Sequence, residues 1–213
     1  VSAIEEGRAV FDNVRKFITY IFSSNVPELL PFALAALFKI PLALTVAQIL
    51  IIDLGTDMLP GLGLGMEKPE PDVMRRPPRR RSQPLIDRSL LRRAFLWLGL
   101  LEAILCYSGF FLVHQAPSLG LPGYFGSWIS LHPDQVNLLA MTVFFSGVVM
   151  AQVGNAFACR TEVHRGRSLG WTSNRFLLFG VAVEIVLVLV LIYFPPLAAA
   201  LDHVSLPLAW WAW

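Results

Sequence analysis

Five apolar segments, each long enough to cross a membrane as a helix, restrict the folds that this chain can adopt. A helix needs about 20 residues to cross the ~30 Å hydrocarbon core of a bilayer. The composition agrees with spanning helices, because 55% of the residues are hydrophobic and only 15% are charged, unlike a typical soluble domain. The sequence therefore predicts an all-α, polytopic transmembrane helix bundle with complete spans at about residues 14–38, 42–66, 90–113, 135–159 and 176–194.

The two ends of the chain lead to different predictions. Residues 1–17 are acidic and then basic, and they contain no early apolar core. We therefore expect an amphipathic helix that enters the first span, and not a secretory signal. Residues 197–213 end in a Trp-rich apolar run that stops abruptly. We interpret this run as the start of a sixth span that is missing or truncated.

All lysines and arginines except Lys39 fall on one side of the five-span arrangement. Cytoplasmic loops of membrane proteins carry an excess of Lys and Arg. We therefore expect a multi-pass protein of the plasma membrane whose N-terminus is cytoplasmic. The basic run RRPPRRR at residues 75–81 lies beside a span, where such runs anchor the topology and contact anionic lipid. The expected partner is the lipid bilayer, and no nucleic acid.

Two acids, Asp53 and Asp57, interrupt the apolar second span within the sequence IIDLGTDMLP. Near the centre of a span an Asp costs about 2.5–3.5 kcal/mol, whereas a Leu, Ile or Val contributes only about 0.3–0.6 kcal/mol. The second span would therefore be barely stable alone in lipid. Because residues four apart share one helix face, we predict that both acids and the adjacent Thr56 face the protein interior or a wet cavity.

The first span carries matching polar residues in SSNVPELLP, where Asn25 and Glu28 are three residues apart. Pro27 lies between them and removes one backbone donor, which frees a carbonyl oxygen. We predict that two interrupted helices form an oxygen cage for a hard cation or an alkali ion, with Asn25, Glu28, Asp53 and Asp57 as metal ligands. The absence of Cys and His from both stretches disfavours thiophilic metals. The alternative is that these acids only hold helices together.

The chain resembles a known family in three stretches: EGRAVFDNVRKFITYIFSSNVPELLP, then IIDLGTDMLPGLGLG, then PEPDVMRRPPR. In this order they resemble the C-terminal membrane half of the P2-type cation-transporting ATPases, which include calcium pumps and sodium/potassium pumps. The resemblance implies that the five spans are the fifth to ninth helices of a ten-helix pump. It also implies that residues 1–13 are the stalk from the phosphorylation domain and that residues 14–213 are the C-terminal transmembrane domain.

The resemblance also assigns ligands for the transported cation. The ion-binding residues of the family correspond here to Asn25, Glu28, Asp53, Thr56 and Asp57. The wording NVPE and IDLGTDM is closer to sodium/potassium pumps than to calcium pumps, which usually have Asn at the position of Asp53. The transported cation stays open between Ca²⁺ and Na⁺/K⁺.

A possible additional ion site is also implied by the resemblance. Its partial counterparts in this chain are Tyr20, Ser23, Gln152 and Glu184. Sodium/potassium pumps have an acid three residues after the glutamine, where this chain has Asn155. Glu102, in the third span, is expected to contact a neighbouring helix or the membrane interface rather than an ion.

The resemblance finally implies an activity. Such pumps form an aspartyl phosphate within a DKTGT motif, and these residues contain neither that motif nor a nucleotide-binding domain. We therefore expect the ion-binding membrane domain of an ATP-driven pump, which alone should not hydrolyse ATP. Its partners would be the remaining domains, which bind Mg²⁺ and ATP, and the first four helices. Two alternatives stay open: a passive cation channel or secondary transporter module, and a non-transporting helical assembly module.

Overall fold

The computed structural model describes residues 2–78, 84–115, 133–161 and 169–212. These residues contain helices and no strands, and five of the helices are long and apolar enough to cross a membrane. The predicted all-α transmembrane fold is thus confirmed. The five helices are α1 (Ser2–Phe38), α2 (Val46–Gly65), α3 (Arg88–Gln115), α4 (Pro133–Cys159) and α5 (Arg175–Tyr193).

Some predictions concern residues outside the described ranges. They are the first residue of the expected stalk, Val1; residues 79–83, which include part of the basic run; Arg165 and Arg167, which follow α4; and the last residue, Trp213.

The first span is one unbroken helix, although α1 contains Pro27 and Pro31. The prediction that this span is interrupted is therefore wrong. Each proline removes one backbone hydrogen bond. Because α1 packs against α2, α3 and α4 on several sides, its neighbours hold the helix together, as is common for proline in membrane helices.

The second span is interrupted, as predicted, and the interruption is a π-helical turn. α2 begins at Val46 rather than near residue 42 because Thr45 caps it, with reciprocal hydrogen bonds between Thr45 and Gln48. It is α-helical over Val46–Ile51, π-helical over Ile52–Thr56 and α-helical again over Met58–Gly65. Single π-helical turns inside α-helices occur often at functional sites.

Two glycines allow α2 and α5 to approach closely. A Cβ atom at Gly63 would lie 2.7 Å from the Cα atom of Leu177, and a Cβ atom at Gly180 would lie 2.8 Å from the carbonyl carbon of Leu59. Small residues at such crossings are typical of packed membrane helices. The acids of α2 are therefore held next to α5 as well as next to α1.

The connection between α2 and α3 is fastened to the N-terminal half of α1 by ion pairs. Lys16 pairs with Glu70 at 3.1 Å, and both side chains are almost completely buried. Arg76 pairs with Asp12 at 3.1 Å and also contacts Glu70. Burial alone would raise the pKa of Glu70, but Lys16 and Arg76 hold it below its usual value. This connection and α1 are thus joined through charged groups.

A second buried ion pair joins the ends of three helices. Arg160, just after α4, pairs with Glu67, just after α2, at 2.8 Å, and both side chains are at most 3% exposed. Asn174 caps α5 by accepting from the amide of Leu177 and donates to Glu67 at 2.9 Å. The chain ends of α2, α4 and α5 therefore meet at one polar junction.

The segment after α5 packs back on the helix bundle. It contains the short helix α6 (Pro195–Ala200) and a 3₁₀-helix at Leu208–Ala212. Gln48 at the start of α2 donates to the carbonyl of Leu201 at 2.8 Å, and Tyr193 donates to the carbonyl of Leu206 at 2.6 Å. The start of a sixth span within residues 197–213 stays a prediction.

Candidate ion-binding site

Three acids meet between α1 and α2: Glu28, Asp53 and Asp57, here called the three-acid cluster. One carboxylate oxygen of each lies within 4.8 Å of those of the other two. Glu28 and Asp57 are each only 1% exposed, and Asp53 is half-buried. Oxygen atoms at this separation can all bind one hard cation after small adjustments, because Ca²⁺ binds oxygens at about 2.3–2.6 Å.

The π-helical turn of α2 positions two of the three acids. Asp53 lies in this turn, and Asp57 follows it and donates its amide to the carbonyl of Ile52 at 3.0 Å. Thr56 is fully buried and donates its hydroxyl to the same carbonyl at 3.0 Å. Its hydroxyl oxygen keeps free lone pairs, because a hydroxyl has one donor and two acceptor sites. The turn thus presents hydroxyl and carboxylate oxygens together.

Two side chains, one on α1 and one on α4, donate hydrogen bonds to the cluster. The hydroxyl of Tyr20 donates to Oδ1 of Asp57 at 3.1 Å, and Nε2 of Gln152 donates to Oε1 of Glu28 at 3.3 Å. Oδ2 of Asp57 and Oε1 of Gln152 have no hydrogen-bond partner within the described residues. The buried cluster therefore keeps acceptor oxygens that are available to a cation.

The cluster has no positively charged protein partner in the part of the chain that the structure describes. No Lys or Arg forms an ion pair with Glu28, Asp53 or Asp57 there. Lys39, in the turn after α1, has a left-handed φ of 56° and is not paired with them. Burying unpaired carboxylates is costly. The cluster would thus be stabilised by a bound cation or by protons.

Two other predicted ligands take less direct positions. Asn25 is half-buried, and its side chain forms no hydrogen bond with another described residue. Ser23 is fully buried and donates its hydroxyl to the carbonyl of Tyr20 at 2.8 Å. Both residues lie on α1 within five positions of Glu28. Their roles as ligands stay predictions.

Glu102 and Glu184 are two further buried acids in the bundle. Glu184, on α5, is 1% exposed, and neither of its carboxylate oxygens has a hydrogen-bond partner within the described residues. Glu102, on α3, is 2% exposed and accepts a hydrogen bond from Asn155 on α4. Within the described residues, the membrane-spanning helices therefore hold these two acids in addition to the three-acid cluster.

Glu102 contacts a neighbouring helix, as expected, because it accepts a hydrogen bond from Asn155 on α4. Acids inside spans usually face the protein interior. The two residues lie 53 positions apart in sequence. Only the packing of α3 on α4 brings them together. Gln152 likewise proves to contact the three-acid cluster itself.

The donor atoms around the cluster are carboxylate, hydroxyl and amide oxygens. Such donors favour hard cations such as Ca²⁺ or the alkali ions over thiophilic metals. The described Cys residues, Cys106 and Cys159, are buried and do not belong to the cluster. The donor set of the cluster thus suits a hard cation.

Known proteins resemble almost the whole length of the chain. The family described as "Cation transporting ATPase, C-terminus" matches residues 41–213. The chain is 32% identical over 231 residues to the sodium/potassium-transporting ATPase subunit alpha-2 of Gallus gallus, and the match covers 99% of this chain. It is 33% identical over 232 residues to subunit alpha-3 of Homo sapiens, again over 99% of this chain.

The match is confined to one part of those relatives. The chain spans 23% of the length of each of these two subunits, and 22% of the sodium/potassium-transporting ATPase subunit alpha-4 of Rattus norvegicus, to which it is 32% identical. Five apolar helices around buried acids agree with a membrane part. The chain therefore belongs to the P-type cation-transporting ATPases and corresponds to the C-terminal transmembrane part of that family.

Proposed function

We propose that this chain is the ion-binding membrane domain of an ATP-driven cation pump and that the three-acid cluster is its transport site. The observation that carries the proposal is the approach of three carboxylates to within 4.8 Å, without a described cationic side chain beside them. Thr56 and Asn25 would supply further oxygen ligands. Acids inside a membrane bundle mark ion pathways far more often than they serve packing alone.

The transported ion would be Na⁺ and K⁺ or Ca²⁺. The names of the relatives favour sodium and potassium. Three carboxylates with neutral oxygens suit either ion class, so the donor set alone does not decide. We also propose that the additional site of Tyr20, Ser23, Gln152 and Glu184 adjoins the cluster, because Tyr20 and Gln152 donate hydrogen bonds to its acids.

Protons are the other ions that such a site would carry. When a cation leaves, the buried carboxylates would have no described basic partner, and a buried unpaired charge is costly. Proton uptake would then neutralise them, which makes proton counter-transport a corollary of the proposal. It would be absent if turnover of the pump in sealed vesicles changed no pH across the membrane.

The energy source would lie outside these residues. Mg²⁺ and ATP would bind in the cytoplasmic domains of the full-length pump, and its first four helices would complete the membrane part. Residues 1–13 would form the stalk from the phosphorylation domain. The protein would lie in the plasma membrane. The distribution of Lys and Arg supports a cytoplasmic position of this stalk.

The test uses the full-length protein that carries this chain, reconstituted in liposomes. ATP hydrolysis is measured against Na⁺, K⁺, Ca²⁺, Mg²⁺ and Mn²⁺ for the wild type, for Asp57→Asn and for Asp134→Asn. Asp134 is a matched control, because it is an exposed acid in the first turn of α4. We expect stimulation by one ion or one pair of ions, lost in Asp57→Asn and kept in Asp134→Asn.

Two other outcomes would replace the proposal by an alternative function. Ion flux without ATP that depends on Asp57 would indicate a passive channel or a secondary transporter. No ion dependence, or full activity of Asp57→Asn, would indicate a helical module without transport. In either case the three-acid cluster would not be the transport site of an ATP-driven pump.

A further inference from the structure

An open groove of about 450 Å³ lies on the outer surface of the bundle at the first turns of α3. It is separate from the three-acid cluster and plays no part in the proposed transport. The residues that line it are Ser89, Arg92, Arg93, Leu96 and Trp97. Ser89 lies in the α-helical first turn of α3, and the other four lie in its π-helical segment Arg92–Gly99, so the groove lies along the beginning of this helix.

The polar end of the groove carries two arginines. Arg92 is exposed, and its guanidinium forms no hydrogen bond or ion pair within the described residues. Arg93 is fixed in place because its Nη2 donates to the carbonyls of Ala158 and Thr161 at 2.8 and 2.9 Å. A guanidinium has five N–H donors, so Arg93 keeps others for a ligand. No carboxylate is among the lining residues that the structure describes.

The other end of the groove is apolar and open to the surroundings. Leu96 is 65% exposed and Trp97 is 70% exposed. Further along α3, Leu100, Leu101 and Ile104 are also exposed, which marks this side of the helix as lipid-facing. Tryptophan is enriched at the boundary between headgroups and hydrocarbon. The groove therefore has cations at the membrane boundary and hydrocarbon contacts below them.

We propose that this groove binds one anionic phospholipid, with its phosphate between Arg92 and Arg93 and an acyl chain along Leu96 and Trp97. Arginine suits this role because its planar guanidinium binds phosphate oxygens in pairs. The hydrogen bonds of Arg93 to α4 distinguish the groove from a lone arginine that only reaches toward the headgroups. The inference requires that α3 spans a bilayer and that the groove stays open to lipid in the full-length protein, and it is independent of the transported ion.

The test measures lipid binding to the purified full-length protein by native mass spectrometry. Phosphatidylglycerol, phosphatidylcholine and inorganic phosphate are added separately to the detergent-solubilised wild type, Arg92→Gln and Arg175→Gln. Arg175 is the matched control, because it is an exposed arginine at the first residue of α5 and does not line the groove. Melting curves without lipid show whether each variant is folded.

We expect the wild type and Arg175→Gln to retain phosphatidylglycerol in preference to phosphatidylcholine. Arg92→Gln should bind phosphatidylglycerol about tenfold more weakly, the loss expected for one charge-assisted hydrogen bond. Quenching of tryptophan fluorescence by a phosphatidylglycerol with brominated acyl chains should decrease in Trp97→Phe. Equal retention of both lipids, equal losses in the two arginine variants, or binding of inorganic phosphate alone with the same affinity would overturn the proposal.

Discussion

The side-chain amide of Gln152 donates a hydrogen bond of 3.3 Å to the carboxylate of Glu28, although 124 positions separate the two residues in sequence. This contact joins α4 to the three-acid cluster between α1 and α2. It orients one oxygen of Glu28, while the oxygen of the Gln152 amide has no hydrogen-bond partner within the described residues. Gln152 thus holds one acid of the cluster in position and keeps an unpartnered amide oxygen beside it.

Replacing Gln152 should weaken cation binding without unfolding the bundle. Gln152→Leu removes the donor to Glu28 and the free amide oxygen, and a hydrogen bond to a charged group contributes about 1.5–3 kcal/mol. We expect a roughly 10- to 100-fold increase in the cation concentration that half-activates ATP hydrolysis. The control is Ser146→Ala, whose hydroxyl donates only to the carbonyl of Val143 in the same helix. An unchanged half-activating concentration in Gln152→Leu would exclude this role.

The pair of Glu102 and Asn155 should show strong coupling in a double-mutant cycle. Asn155→Leu would leave both oxygens of the buried Glu102 without a described partner. We expect the free energy of unfolding to fall by about 1–3 kcal/mol. In a Glu102→Leu background the same change should cost much less, because no polar group is then stranded. Thermal unfolding in detergent is measured for the full-length wild type, the two single variants and the double variant. Additive losses of stability in the two single variants would contradict the contact.

Acid should release the connection between α2 and α3 from α1. Burial alone would raise the pKa of Glu70, but Lys16 and Arg76 hold this pKa below its usual value. The pKa of Glu70 is lower in the folded protein than in the unfolded chain. The ionised Glu70 therefore stabilises the fold fully at a pH above its unfolded pKa of about 4.3. It is lost as the pH falls through the folded value.

The measurement for this prediction compares the unfolding temperature of the wild type and Glu70→Gln between pH 7 and pH 3. Near pH 7 the variant should be less stable, by about 3 kcal/mol, because it leaves Lys16 buried without its charge partner. The difference between the two proteins should shrink as the pH falls below about 4.3. A constant difference over the whole range would show that the ionisation of Glu70 does not contribute.

The approach of α3 to α1 should depend on Gly99. A Cβ atom there would lie 2.5 Å from a methyl carbon of Val26 and 2.8 Å from the carbonyl oxygen of Ser23. Gly99→Ala should therefore lower the free energy of unfolding by about 1–3 kcal/mol. Gly154→Ala is the control, since no atom lies within 4 Å of its added carbon. Equal melting temperatures for the two variants would mean that α1 and α3 are less tightly packed here.

The sequence predicts the number of spans and the main acids because both follow from local patterns. Apolar length indicates the helices, and the four-residue spacing of Asp53 and Asp57 puts them on one face. The cost of acids in lipid then predicts that they point inward. These arguments need no knowledge of which helices are neighbours.

Features that depend on packing could not be predicted in the same way. Pro27 and Pro31 predict an interruption, but α1 stays unbroken because neighbouring helices support it. The π-helical turn has no sequence signature of its own, although Gly55 lies within it. The contact of Gln152 with Glu28 requires α4 to lie beside α1. In α1, packing by neighbouring helices thus overrides the tendency of proline to break a helix.

The unbroken course of α1 also determines how motion outside the membrane would reach the acids. Arg8 donates to the carbonyl of Val73 at 2.7 Å near the beginning of α1, and Glu28 lies about 30 Å further along the same helix axis. A rigid helix of this length acts as a lever arm. A tilt of about 10° around its N-terminal end would displace Glu28 by about 5 Å, as far as the carboxylate oxygens of the cluster lie apart. Such a tilt would separate Glu28 from the two acids of α2, with no joint inside α1.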